Sequence, residues 1–378
     1  MSGFYFFLAV VSAIGTYSAI IQARRIYWMA PFYFLIAWLS GELALIHLLW
    51  QLGLTALMAL SGLLDSSLAQ VGLGLFALSW MGQVYLHVQA MNTQRVMRQA
   101  LKRGLGEDYR STLPQQRQRV LEDSVDAAHW MKPFAMVREG VRVHSHIAYA
   151  DAGKRNLLDI YQPQEPREGG FPVLLQVHGG GWMIGEKEQQ AKPLMFHLAQ
   201  RGWLCVAINY RLSPNAAFPA HIIDVKKSIA WIRNNIAEYG GDPDFIAITG
   251  GSAGGHLSSL AALTPNYAPF QPEFEDADTS IQAAVPFYGV YDFTDAKRLM
   301  LNPGLEQILE NSIMKKSLED HQEAYLSASP INRITDQAPA FLIIHGDKDS
   351  LVPVTMGRDF ASALHATSNE PVAYAEIK

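Results

Sequence analysis

The fold of this chain is decided by the stretch IAITGGSAGGH at residues 246–256. Its first four residues are apolar or β-branched, which predicts a buried strand. The glycines then turn the chain into a helix that is predicted over 254–263 and is rich in Ala and Leu. Residues 250–254 have the pattern G-x-S-x-G, in which a serine stands on a tight, strained turn between a strand and a helix. Glycines two positions before and after Ser252 leave room for the turn and for a substrate, so Ser252 is a candidate nucleophile.

The same stretch has a plainer explanation, in which Ser252 only caps the start of a glycine-rich helix. The strand before Ser252 and the helix after it are the context that a catalytic serine requires, and they favour the nucleophile. The helix N-terminus beneath Ser252 also favours the negative charge that develops during attack on a carbonyl group.

Composition restricts the function and marks a domain boundary. The chain has 378 residues and a net charge of −5, so no nucleic acid is expected as a partner. Its one cysteine, Cys205, lies in an apolar run, which excludes a disulfide framework and predicts a core residue. Charge is unevenly distributed, because residues 1–91 carry only four charged side chains, Arg24, Arg25, Glu42 and Asp65. We therefore place the main boundary after residue 91.

Residues 1–91 are predicted to form a transmembrane region. A spanning helix needs about 20 apolar residues, and three spans meet that need near 4–22, 31–60 and 68–90. The second span is long and is expected to tilt. A signal peptide is the alternative for the first segment, which lacks a basic start and is followed by further apolar segments.

The basic residues predict the orientation of these spans. Arg24 and Arg25 fall in the first loop, and a second basic cluster, which includes Arg95 and Lys102, follows the third span. Both clusters belong on the cytoplasmic side, so the N-terminus is expected outside and the large C-terminal part in the cytoplasm. Glu42, inside the second span, is either a functional residue or a carboxyl that faces a neighbouring helix.

Residues 92–139 are polar and are predicted to form a juxtamembrane linker or a cap, with helices at 92–103 and 114–129. From residue 140 onward, strands alternate with helices, the latter predicted at 188–201, 219–238, 254–263 and 355–366. The strands are predicted at 141–150, 157–161, 173–177, 203–209, 245–249, 281–288, 340–345 and 371–377. This alternation is typical of the α/β class, with a mostly parallel sheet and helices on both faces.

A glycine-rich loop, HGGGW at residues 178–182, follows the strand at 173–177. Three glycines allow backbone N–H groups to converge on one point, where they stabilise the oxyanion that forms when an ester carbonyl is attacked. A simple tight turn is the alternative. We expect His178 itself to be structural, with hydrogen bonds inside the loop.

Further motifs make a resemblance specific. They are YRLSP at 210–214, FPA at 218–220, Asp224, GDP at 241–243 and HGDKDSLVP at 345–353. With HGGG and G-x-S-x-G, they make residues 140–378 similar to the hormone-sensitive-lipase-like carboxylesterases of the α/β-hydrolase superfamily. Ser213 and Asn215 depart from the usual Y-R-L-A-P-E, and Gly251 stands where the group often has Asp or Thr. The resemblance covers none of the membrane part.

The resemblance implies a set of functional residues. Ser252 would be the nucleophile, and Gly180, Gly181 and Ala253 would donate the oxyanion-hole N–H groups. Asp349 would orient the catalytic histidine, with Asp347 as an alternative that also suits a simple turn. No metal and no cofactor is expected. The implied partners are a small-molecule ester, with lipid-derived esters as one option, and membrane lipids.

The catalytic histidine is the difficulty. In this fold it follows the last strand, in the order Ser, Asp, His. Here 371–377 reads as the last strand and the sequence stops at Lys378. We expect the domain to be C-terminally incomplete, with His365, in a predicted helix, as the alternative base and with His256 packed behind the nucleophile.

The leading function is ester hydrolysis through an acyl-enzyme at a membrane surface. Amide or formamide hydrolysis is an alternative within the same chemistry, and an inactive, membrane-tethered binding module is an alternative from another class. The apolar residues of 291–330 either line an acyl pocket or belong to the core. The sequence does not determine the acyl chain length or the oligomeric state.

Overall fold

The structure is a computed structural model that describes residues 1–21, 30–113, 136, 138–299 and 303–378. The predicted helix at 114–129 and the first-loop arginines, Arg24 and Arg25, lie outside the described residues. The predicted linker or cap is therefore described only at its two ends.

Eight strands form one sheet in the order β1-β2-β4-β3-β5-β6-β7-β8. The first two strands are antiparallel to their neighbours, and all the others are parallel. The strands are β1 (Val141–Ala148), β2 (Leu157–Pro163), β3 (Phe171–Val177), β4 (Leu204–Ile208), β5 (Gly241–Gly251), β6 (Ala283–Phe287), β7 (Ala340–Gly346) and β8 (Val372–Ile377). The predicted α/β class and its strand pattern are confirmed.

Helices cover both faces of the sheet. They are α5 (Lys192–Ala199), α6 (Ala220–Asn235), α7 (Ala253–Leu263), α8 (Pro303–Ile308) with a π-helical turn after it (Leu309–Met314), α9 (Gln322–Ala328) and α10 (Val354–Thr367). On β3, Val173 and Leu175 join the large core shared with α6, α7 and α10, whereas Leu174 joins a smaller core with α5. Because side chains alternate between the faces, a strand buried on both faces reads as a continuous apolar run.

The segment 291–330 contributes mainly to the core. Phe293, Leu309, Ile313 and Met314 are buried in the large core cluster. Of the two explanations for its apolar residues, packing therefore accounts for these four side chains.

In the part of the chain that the structure describes, four helices precede the sheet: α1 (Ser2–Ile20), α2 (Ala30–Glu42), α3 (Ala44–Leu60) and α4 (Ser67–Leu105). Two of them, α1 and α4, are long and apolar enough to cross a membrane, and α2 with α3 would make a third span only if counted together. The expected continuous helix over 31–60 is wrong, because α2 and α3 meet at 82°. Leu43 leaves the helical conformation there (φ −107°, ψ 24°), and the weak helix former Gly41 lies just before it. The number of spans stays a prediction.

Helix α4 connects the helical region to the sheet. It runs without a break for 39 residues, through the predicted third span and the predicted helix at 92–103. Near its end, Gly104 packs against the edge strand β8 so closely that a Cβ there would lie 2.5 Å from the Val372 carbonyl oxygen. The α4 backbone therefore contacts the sheet edge directly.

Candidate active site

Ser252 stands on the turn between β5 and α7 with a strained backbone. Its φ of 55° and ψ of −119° are rare for a residue with a side chain. The Ser252 N–H donates to the Phe287 carbonyl at the end of β6 (3.0 Å), which ties the turn to the sheet. The flanking glycines are required by close approach, since a Cβ on Gly250 would lie 2.5 Å from the Val177 carbonyl oxygen and one on Gly254 would collide with the same atom.

The glycine loop after β3 lies against this turn. A Cβ on Gly179 would lie 2.6 Å from the Gly251 carbonyl oxygen. The Gly179 N–H donates to the Gln190 side chain (2.8 Å), which leaves the next two residues as the loop's available donors. Gly180 and Gly181 both have positive φ (117° and 59°), and their N–H groups donate to no acceptor among the described residues.

Ala253 provides a third donor. It begins α7, and the first N–H groups of a helix have no partner within the helix. The structure thus brings the elbow and the glycine loop together, with the N–H groups of Gly180, Gly181 and Ala253 uncommitted in the described part of the chain.

Trp182 and His256 support the glycine loop from behind. The Trp182 indole N–H donates to His256 Nδ1 (3.1 Å), and His256 Nε2–H donates to the Ala328 carbonyl (2.8 Å). Burial lowers the pKa of His256 to about 3. With both ring nitrogens engaged and the ring neutral, His256 is packed as the sequence suggested.

His178 is also structural. It stacks on Tyr210 with ring centroids 4.4 Å apart, and its Nδ1–H donates to the Gly179 carbonyl (2.8 Å). The Tyr210 hydroxyl donates to the His178 carbonyl (2.9 Å). Burial lowers the pKa of His178 to about 4, so the ring is neutral at pH 7.

The candidate acid, Asp349, lies on the loop after β7. Asp349 Oδ1 accepts from the N–H groups of Leu351 (2.8 Å) and Val352 (2.9 Å), and Oδ2 lies 3.7 Å from Nε2 of His345. Burial raises the pKa of Asp349, and its two backbone hydrogen bonds and the nearby His345 ring oppose that rise. Asp347 is the other carboxyl of the loop, and its Oδ1 is buried with no partner among the described residues.

Sequence reasoning missed Tyr288. It follows β6 with a positive φ of 38°, and its hydroxyl lies 2.7 Å from where a Cβ on Gly251 would stand. The Tyr288 side chain is therefore at the nucleophile turn, although 42% of the residue is exposed. Burial of its phenol raises the pKa of Tyr288, and the charges of Asp349 and Glu42 add to the rise. The sequence signal for this contact was Gly251 itself, because it has no side chain at a position where the resembling group often has Asp or Thr.

The base is not assembled by the described residues, in which no imidazole hydrogen-bonds to the Ser252 hydroxyl. His345 is fully buried, donates to the Val352 carbonyl (2.9 Å) and is covered by Gly357 of α10. His365 is exposed in the last turn of α10. A histidine beyond Lys378 therefore stays a prediction.

Comparison with known proteins connects this geometry to a chemistry. The family model BD-FAE matches residues 158–364. The probable carboxylic ester hydrolase LipM of Mycobacterium tuberculosis is 48% identical over 312 residues, which are 80% of this chain and 72% of that protein. The esterase LipQ of the same organism is 49% identical over 236 residues, and the match spans 62% of this chain and about half (55%) of LipQ.

A solved structure agrees with the fold. A truncated carbohydrate esterase from gut microbiota superposes with a TM-score of 0.54 at 26% identity. The match covers 64% of this chain and 90% of that one, so it takes in nearly all of the esterase.

Proposed function

Since the chain belongs to the hormone-sensitive-lipase-like carboxylic ester hydrolases of the α/β-hydrolase superfamily, we propose that it cleaves its ester through an acyl-enzyme on Ser252. The observation that carries this proposal is the contact between the glycine loop and the nucleophile turn. This contact supports an oxyanion hole made of the N–H groups of Gly180, Gly181 and Ala253 beside a strained serine, as acyl transfer requires.

The reaction follows from these positions. The Ser252 Oγ bonds to the ester carbonyl carbon while its proton passes to the base, and the carbonyl oxygen becomes an oxyanion held by the three N–H groups. Collapse of this intermediate breaks the C–O bond, and the alcohol leaves with the proton from the base. Water then repeats the attack on the acyl-enzyme, so one ester and one water yield one acid and one alcohol.

Asp349 would hold the base in this scheme. Two backbone N–H groups fix one oxygen of its carboxylate, so the loop positions the carboxylate before any substrate arrives. An imidazole that donates to the Asp349 carboxylate keeps the tautomer that can accept the serine proton.

The nucleophile assignment is tested with a short p-nitrophenyl ester and a fluorophosphonate probe. Ser252→Ala should abolish both hydrolysis and labelling, whereas Ser258→Ala, a change at a buried serine on α7, should not. Added imidazole should raise the rate of the wild-type chain if the base is missing from it, and His365→Gln should cause no loss. Labelling of a serine other than Ser252 would contradict the proposal.

We also propose that the protein is an integral membrane protein with its hydrolase domain in the cytoplasm. The helical region, formed by α1 to α4, has apolar side chains on its surface as well as in its interior. Such a surface suits lipid better than water. Its exposed apolar side chains include Phe4, Phe7, Val11, Ile14, Leu49, Leu52, Leu57, Leu68, Val71, Leu78 and Met81.

Fractionation and a reporter test this location. The full chain should sediment with membranes and resist carbonate extraction, and recovery in the soluble fraction would contradict the proposal. A reporter fused after residue 110 should give a cytoplasmic signal, and a signal from the other side of the membrane would reverse the proposed orientation.

A further inference from the structure

The helical region has two distinct ends. Tyr5 of α1 packs on Phe76 of α4 (5.0 Å between ring centroids), and further along α1 Thr16 hydrogen-bonds to Ser79 and Gln83 (both 2.8 Å). Because residue numbers rise together along this contact, α1 and α4 run parallel. The short connection at 61–66 makes α3 antiparallel to both. One end, here called the inner end, therefore contains the end of α1, the start of α3 and the part of α4 near Gln83.

Helix α2 lies across the inner end instead of continuing α3. The two helices meet at 82°, so if α3 stands along the membrane normal, α2 lies close to the membrane plane. A Cβ on Gly15 would lie 2.6 Å from the Ser40 hydroxyl, so α2 is packed against the last part of α1. Its side chains Leu35, Trp38 and Leu39 remain exposed.

The mouth of the active site meets this same end. Lys348, one residue before Asp349, has its ammonium 5.7 Å from the centre of the Tyr85 ring, and Tyr85 follows Gln83 by one-half turn of α4. Glu42, the last residue of α2, stands beside the start of α3 at this inner end, and its charge adds to the raised pKa of the Tyr288 phenol. Tyr288 in turn lies at the nucleophile turn through its contact with Gly251.

We propose that α2 is an interfacial helix that lies on the membrane surface and forms one rim of the active site, so that the site takes amphiphilic esters whose hydrocarbon part stays in the bilayer. This rests on the proposed function. A helix of this kind buries its apolar side about 5–10 Å into the boundary between headgroups and acyl chains. Ile184, which follows the glycine loop and contacts Gly180, is a further exposed apolar residue, with 70% of its surface accessible.

This arrangement also accounts for Glu42. A carboxylate in the hydrocarbon core is costly, but one at the end of an interfacial helix lies among headgroups and water. Glu42 is exposed in the structure. It therefore does not face the interior of the bundle, although a carboxyl that faces a neighbouring helix was one of the two expectations from sequence. The proposal requires α3, whose 17 residues are at the lower limit for a span, to cross without α2, and the first two predicted loops then keep their sides.

The position of α2 is tested by measuring how deep its side chains lie in the membrane. Single cysteines replace Leu35, Trp38 or Leu39 on α2, and Leu49, Leu52 or Leu57 on α3, each in a Cys205→Ser background. The full chain, labelled with an environment-sensitive fluorophore, is placed in phosphatidylcholine–phosphatidylglycerol vesicles with nitroxide quenchers at shallow or deep positions. The α2 sites should share one shallow depth, whereas the α3 sites should differ by about 1.5 Å per residue. A steady deepening along α2, or no quenching there, would overturn the proposal.

The substrate class is tested with two esters that share a leaving group, 4-methylumbelliferyl oleate in vesicles and 4-methylumbelliferyl acetate in water. Trp38→Lys should lower the ratio of oleate to acetate hydrolysis about tenfold, because it puts a charge on the rim past which the oleate chain enters the site, while the spanning helices keep the protein in the membrane. Phe245→Lys, a matched change of an exposed aromatic residue in the middle of β5, should leave that ratio as it is.

The two proposals fail in different ways. If the chain hydrolyses neither ester even with added imidazole, the proposed function is wrong, and the depth measurement still decides the position of α2. If acetate is hydrolysed but Trp38→Lys and Phe245→Lys change the ratio equally, α2 is not a rim of the site.

Discussion

The nucleophile half and the acid half of the site are built by different means. Around Ser252, the groups that position the reaction are backbone atoms, which approach one another so closely that a Cβ on Gly179, Gly250 or Gly254 would collide. On the β7 loop, the working group is the carboxylate of Asp349, held through one oxygen by two N–H groups.

The difference predicts what each half tolerates. Backbone donors do not depend on the charge of a side chain, so the nucleophile half should be sensitive to added volume and insensitive to pH. The acid half should be sensitive to the loss of a charge even when the shape of the side chain is kept. The predictions below change either the volume or the charge of a side chain, one at a time.

Asp349→Asn should have the largest effect on the acid half. The amide oxygen can still accept from Leu351 and Val352, so the loop keeps its shape, but the charge that orients and stabilises an imidazolium is lost. We expect kcat to fall roughly 10³–10⁴-fold. The measurement is kcat and KM for a short ester, in a protein that includes the histidine predicted beyond Lys378, with circular dichroism to confirm the fold.

Asp347→Asn is the matched control, since it removes the other carboxyl of the same loop. We expect a loss of less than about tenfold. If Asp347→Asn proves the more damaging of the two, the acid is Asp347, whose Oδ1 is buried without a partner in the described part of the chain.

Gly180→Ala should have the largest effect of added volume on the oxyanion loop. A Cβ there would collide with the Ile184 carbonyl, and φ is 117°, so the loop must move and carry its N–H away. Losing one oxyanion donor lowers kcat roughly 10²–10³-fold. The rate should fall with little change in KM, which steady-state kinetics would show.

Gly181→Ala separates volume from strain. Its Cβ would meet nothing within 4 Å, and only its φ of 59° disfavours a side chain. We expect about 1 kcal/mol of lost stability and a much smaller loss of rate than for Gly180→Ala. Equal losses in the two variants would mean that backbone strain, and not the collision with Ile184, controls the oxyanion loop.

The backbone half of the site was largely predictable from sequence. Glycines at fixed spacing around Ser252, and three in a row after a buried strand, leave a local signature because the close approach excludes any other residue. The continuous apolar run of β3 was also predictable. In all these cases the residues that form the signature are neighbours in the chain, even where the atoms that they approach, such as the Val177 carbonyl oxygen, are not.

Features that depend on distant contacts were not predictable. Tyr288 reaches the nucleophile turn from the next strand, and no local pattern marks that contact. The 82° break between α2 and α3 lies beside Gly41 and Glu42 in an otherwise largely apolar run, where composition suits one long helix equally well. The roles of His178 and His256 needed the positions of Tyr210 and Ala328, although packing was correctly expected for both.

The last predicted effect lies where the two halves meet, at Gly251 and Tyr288. Gly251 belongs to β5, and its φ is not in the left-handed region, so Ala is acceptable to the backbone. The added Cβ would, however, lie 2.7 Å from the Tyr288 hydroxyl oxygen and 2.9 Å from Cζ. The ring or the turn must shift by a few tenths of an ångström, which should lower kcat/KM about tenfold.

A double-mutant cycle tests this contact. Tyr288→Ala removes the ring, so Gly251→Ala should cost almost nothing in that background, and the two changes should be strongly coupled. Tyr288→Phe is the discriminating control, because the ring carbon that remains would still lie 2.9 Å from the new Cβ, and the loss should persist. Additive losses in the Tyr288→Ala background would show that the phenol does not limit the space at Gly251. If Tyr288→Phe restored the rate of Gly251→Ala, the whole conflict would lie at the hydroxyl oxygen. The Asp or Thr that the resembling group often has at position 251 would then compete with that single oxygen atom.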